Sequence, residues 1–181
     1  MRTALDAPTN GFNDYEKKLV AKIRERGWFR TSVFADDDSL GFSYTTGFWR
    51  SLGHPELIVF SIDGDAVHDI LWKVYRAVES GRLLPIGEPI PDIFEDFDAL
   101  LLPVEKHHYR EYLLSTRWFY GGEDFPCLQL IWPDEQGLFP WQPGANENFA
   151  NSQPDLSSGG WDALTWPENS HCHGPTCSGH P

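Results

Sequence analysis

A chain of 181 residues, 40% of them hydrophobic, is long enough for one domain with a sizeable core, short for two, and too apolar to be disordered throughout. Its formal net charge of −13 sets 27 acidic against 14 basic side chains, a balance that argues against DNA or RNA and fits a basic protein partner, or serves solubility alone. No apolar run approaches the roughly 20 residues that span a bilayer, and the start MRTALDAPTNGF lacks the apolar stretch of a signal peptide, so no membrane partner and a cytoplasmic location are expected.

Residues 1–11 read as a flexible arm. Asn13, with Glu16 three residues on, has capping-box spacing and opens a helix that runs to Arg26 and stops at Gly27. Trp28–Phe34 and Gly41–Gly47 read as two strands of a hairpin around the turn Asp36–Ser39, where three like charges prefer solvent. The segment Phe48–Pro55 reads as a loop. Glu56–Ile62 is apolar on both faces, as a covered central strand requires. Val67, Ile70, Leu71, Val74 and Val78 form the inner face of a helix over Asp65–Ser80. After a Pro-rich acidic loop come a strand at Leu100–Val104, a short helix at His107–Leu114 and a last strand at Phe125–Trp132. Helices that do not alternate regularly with strands predict an α+β fold. The expected form is a mostly antiparallel mixed sheet with two to three helices over residues 12–143. Residues 144–181 read as a flexible polar tail with a His/Cys-rich end.

Three groups of side chains are candidate sites. Arg50, His54 and Glu56 lie at the start of the central strand. His54 either acts as an acid or base near neutral pH or fixes the tight Gly53–Pro55 turn. His107, His108, Arg110 and Arg117 form the second group. Adjacent helical histidines diverge by about 100° and do not chelate one metal from one face. Arg117 precedes Trp118, Phe119 and Tyr120, so it either clamps an anion or a carboxylate beside aromatics or makes an ion pair with Glu111 or Asp124. Cys127, in an apolar strand, reads as a buried small hydrophobe. In the tail, His171, Cys172, His173, Cys177 and His180 are soft N/S ligands suited to Zn²⁺, without the spacing of a zinc finger. Trp118, Trp132 and Trp141 either line a cleft or fill the core.

The segments GFSYTTG (41–47), GHPELIVF (53–60), HYREYL (108–113) and RWFYGGEDFPCLQLIWPDEQGLFPW (117–141) together resemble a bacterial family, the domain of unknown function 4262. The resemblance covers about residues 12–143. It implies a bacterial domain and no particular activity. Tyr44, Thr45, Gly47, His54, Pro55, Glu56, Tyr109, Arg117, Trp118, Tyr120, Gly121 and Trp141 are its pattern positions.

These observations support an acidic binding or regulatory domain that meets a basic protein partner. The alternatives are a small hydrolase-like enzyme and a metal-binding protein. The enzyme would use His54 and Arg117, with Tyr44, Thr45, Trp118, Tyr120 and Trp141 lining the cleft. The metal protein would act through its tail.

Overall fold

Strands β1 (Phe29–Val33), β2 (Phe42–Thr46), β3 (Glu56–Phe60), β4 (Leu100–Pro103) and β5 (Cys127–Ile131) build one sheet in the order β1-β2-β3-β5-β4. The structure, a computed structural model, describes residues 2–161. β1 and β2 form the expected hairpin, with Phe29 opposite Thr46 and Val33 opposite Phe42. β3 and β5 run parallel with Glu56 opposite Cys127, while the other neighbouring pairs are antiparallel. A parallel pair needs a long crossover. Here it carries helix α3 (Gly64–Glu79) and then β4, which takes the sheet edge and leaves β5 inside.

Alternation along β3 divides the core in two. Ile58 and Phe60 face a layer built from α1 (Asp14–Arg26), α4 (Tyr109–Tyr112) and α5 (Leu114–Tyr120), which supply Leu19, Ile23, Tyr109 and Phe119. Leu57 and Val59 face α3, where Val67, Leu71 and Val74 are buried. Covered on both faces, β3 can be apolar throughout, which is the pattern ELIVF carries. α1 begins as its sequence specifies. Asn13 Oδ1 accepts from Glu16 N at 2.9 Å, and Glu16 Oε2 accepts from Asn13 N at 2.8 Å.

The helix count corrects the expectation of two to three. Six α-helical segments occur among the described residues, and the additional ones are short. α2 (Phe48–Leu52) occupies the stretch read as a loop, bounded by Gly47 and Gly53 in the left-handed region. The single helix expected at His107–Leu114 is instead a 3-10 turn followed by α4 and α5, with a break at Leu113 (φ −113°, ψ 41°). α6 (Glu147–Ala150) follows the family-like segment, capped by Asn146. Tertiary packing supplies what these segments lack in length, since isolated helices this short are unstable in water.

Both ends of the described chain make contacts with the core. Thr3 caps a 3-10 turn at Ala4–Asp6, Ala4 is buried, and Arg24 Nη2 donates to the Leu5 carbonyl at 3.0 Å. At the other end, two glutamines hold residues 153–156. Gln153 receives the Trp132 N–H at 3.2 Å and donates to the Trp132 carbonyl at 2.9 Å. Gln129 donates to the Pro154 carbonyl at 2.7 Å and accepts from Leu156 N at 3.3 Å. Leu156 is buried as a result.

Gly47 and Gly53 separate two kinds of constraint. Both have positive φ, +115° and +68°. A Cβ on Gly47 would lie 2.6 Å from the Gly27 carbonyl oxygen, whereas a Cβ on Gly53 meets nothing within 4 Å. Gly53→Ala is therefore expected to cost about 1–2 kcal/mol from backbone conformation alone. Gly47→Ala is expected to cost at least about 3 kcal/mol, because overpacking against backbone is added. Urea unfolding of the two variants checks the difference.

Candidate functional site

Glu56 begins β3 on the face toward α5 and is 0% exposed. No cation pairs with its carboxylate among the described residues. Four donors converge on it instead. Thr45 Oγ1 donates to Oε2 at 2.6 Å. Gly47 N and Trp49 N donate to Oε1 at 2.8 and 3.1 Å, and the Tyr120 hydroxyl donates to the same oxygen. The geometry follows from local structure. Gly47 turns the chain into α2, so the first backbone N–H groups of that short helix point at β3. Thr45 passes the network on by accepting from Leu57 N at 2.9 Å, and Tyr120 also accepts from Arg50 N at 3.2 Å.

Burial pushes the Glu56 carboxyl above the usual range, against the lowering pull of the Thr45 and Tyr120 hydroxyls and the two amides. Burial, and then the adjacent Glu56, push Tyr120 up as well. Cys127, beside Glu56 across the parallel pair, is buried and its thiol is pushed well up by burial. It is the small hydrophobe expected, not an activated nucleophile.

Thr45, Gly47, Glu56 and Tyr120 are all pattern positions of the family resemblance, and they meet at this one carboxylate. The family of unknown function DUF4262 matches residues 22–146. The chain belongs to that family. No curated protein and no solved structure matches it.

Within this DUF4262 domain the remaining candidates lie apart. His54 Nδ1 is 2.7 Å from the Pro55 carbonyl and its ring packs edge-on against Phe48, in the core layer under α3. Burial lowers its pKa. Arg117 sits on α5 and donates from Nε and Nη2 to Glu123 Oε1 at 2.9 and 2.8 Å. Its partner is thus Glu123, neither Glu111 nor Asp124, because Gly121 and Gly122 turn the chain back on α5. Arg110 reaches the same oxygen at 3.3 Å. No hydrogen bond or ion pair joins His54 to Arg117 among the described residues.

His107 and His108 lie on a 3-10 turn, and their ring centroids are 3.8 Å apart. His107 Nδ1 lies 2.8 Å from Glu105, and burial lowers the His108 pKa. Tyr44 accepts from Ser115 N at 3.3 Å. Trp118, Trp132 and Trp141 divide among three packing clusters. Trp118 meets Phe12 edge-on, Trp132 donates to the Phe60 carbonyl at 3.0 Å, and Trp141 stacks on Phe139. Of the aromatic candidates, Trp118 and Tyr120 line one cavity, about 500 Å³ between α5 and Arg2–Ala7. His171, Cys172, His173, Cys177 and His180 lie outside the described residues. Among the described residues no group of three or more His, Cys, Asp or Glu could hold a metal ion, and no helix is long and apolar enough to cross a membrane.

A second cavity, about 250 Å³, was not singled out from sequence. Lys18, Lys22, Arg26 and Arg30 line it beside Trp28 and Trp72. The signal lay in the i, i+4, i+8 spacing of Lys18, Lys22 and Arg26, which puts all three on one helix face.

The raised Glu56 pKa sets a pH dependence. The folded chain holds this proton more tightly than the unfolded chain. The stability it contributes is full below the ordinary glutamate range and is lost as pH rises through the raised folded-state value. Tyr120→Phe removes one donor to the carboxylate. It is expected to cost about 1–3 kcal/mol at neutral pH and to move the loss to higher pH, while Glu56→Gln abolishes it. Urea unfolding measured across pH tests both, and a Tyr120→Phe profile that matches the unsubstituted protein contradicts the assignment.

Proposed function

We propose that this chain is a non-enzymatic binding or regulatory domain that engages a basic protein partner through the tip of the β1–β2 hairpin. The supporting observation is Phe34, 85% exposed, next to the half-exposed Val33 and followed by Asp36, Asp37 and Asp38. An aromatic anchor rimmed by charge is a composition typical of interfaces. The tip is pre-shaped. Asp36 Oδ1 accepts from Asp38 N at 3.0 Å and from Ser39 Oγ at 2.7 Å, and the Ser39 hydroxyl and Asp38 amide hold its carboxyl below the usual range. β1 is also an edge strand, so its outer side offers backbone groups to a partner.

The acidic loop after α3 is a weaker candidate for the same role. Its Asp92 already pairs with Arg82 at 3.8 Å. A hydrolase built on His54 and Arg117 has less support, since the first is engaged with Pro55 and the second with Glu123.

Calorimetric titration with a soluble lysine–leucine peptide at low ionic strength tests the reading. Neutralising Asp36, Asp37 and Asp38 to Asn is expected to weaken binding roughly tenfold, since exposed charge pairs contribute about 0.2–1 kcal/mol each. Phe34→Ser is expected to weaken it further. The control neutralises Glu95, Asp96 and Asp98. An equal loss in the control variant overturns the assignment of the tip.

A further inference from the structure

We propose that the groove between α1 and the start of β1 is a binding site for a small phosphate monoester carrying a planar ring. The net charge of the chain is −13, yet four of its 14 basic side chains line this one 250 Å³ cavity. Lys18, Lys22 and Arg26 stack on one face of α1, and like charges at i, i+4 destabilise a helix. Glu25 offsets part of this, at 2.6 Å from Lys22 Nζ and 3.4 Å from Arg26 Nε. Lys18 has no partner among the described residues, although Asp14 and Glu25 are on its own helix. An oxyanion in the groove would relieve the repulsion that remains.

Arg30 completes the cationic wall from the sheet side. Its Nη1 donates to the Gly64 carbonyl, which fixes the guanidinium at the groove and leaves its other N–H groups for a ligand. A fixed guanidinium is suited to bidentate capture of phosphate.

An independent observation comes from Trp28. Its side chain lines the groove and is 3% exposed, and its indole N–H has no hydrogen-bond partner. A buried indole donor normally finds an acceptor, and this one, in the wall of the groove, has none among the described residues. The aromatic half of the site is Trp72, with its ring 5.2 Å from that of Trp28 at 73°. Trp72 is held in place because its Nε1 donates to His68 Nε2 at 3.1 Å, which leaves the His68 proton on Nδ1. The Arg76 guanidinium lies over the half-buried Trp72 ring at 5.4 Å from its centroid, and the rest of the ring forms an aromatic wall of the groove for a planar group. This groove is distinct from the hairpin tip, so the two readings fail independently.

Phenyl phosphate, inorganic phosphate and phenol are the probes, titrated into the whole chain. Binding is read from the indole N–H resonances of Trp28 and Trp72 and from calorimetry. Phenyl phosphate is expected to shift both resonances and to bind at least about tenfold more tightly than inorganic phosphate or phenol. Lys18→Ala with Lys22→Ala, both on the helix surface, should weaken it by about tenfold or more with thermal unfolding little changed. Trp72→Phe should reduce the preference for phenyl phosphate over inorganic phosphate. No shift at millimolar phenyl phosphate overturns the proposal, as does binding that the double variant leaves intact.

Discussion

One unpaired carboxylate organises the middle of this fold. Glu56 is deprived of water, and burying a charge without compensation is prohibitive. Hydrogen bonds from Thr45 on β2, the first amides of α2 and the hydroxyl at the end of α5 compensate in part, and burial still raises the carboxyl's pKa. The four donors come from three different elements, so satisfying the carboxylate fixes how β2, α2 and α5 meet β3. Because the acceptor can be deprived of none of them cheaply, the network specifies one arrangement more than it adds net stability.

That arrangement accounts for the family pattern better than a catalytic reading does. The hydroxyl, glycine and carboxylate positions that the resemblance singles out converge inside the protein, away from solvent. The surfaces proposed above for binding lie elsewhere, at an edge strand and along a helix. The overall acidity conceals this division, because a groove lined by Lys18, Lys22, Arg26 and Arg30 lies on a chain with an excess of acidic residues.

Where local chemistry decided the structure, the sequence was legible. The Asn13–Glu16 box, the Gly27 stop, the amphipathic face of α3 and the two-faced strand ELIVF all stand where their patterns place them. α2 was not legible, since Phe48–Leu52 has neither length nor cap, and its helical form depends on the glycines at its two ends. Nor was the role of Glu56. A glutamate opening a strand next to His54 reads as part of a loop site, and its burial is decided by Tyr120, distant in sequence. The partner of Arg117 was missed for a similar reason. Gly121 and Gly122 bring Glu123 back onto α5, a turn whose direction no local pattern announced.

The two glutamine clamps at the C-terminal side tie a residue inside the family match to a segment beyond it. Gln129 lies within residues 22–146, whereas Pro154 and Leu156, which it holds, lie outside. A descendant of the same ancestor that shed this strap would leave an amide with nothing to bind and a greasy slot open to water. Loss of the strap and replacement of Gln129 should therefore travel together through the lineage, so that one position on β5 records whether the strap is present.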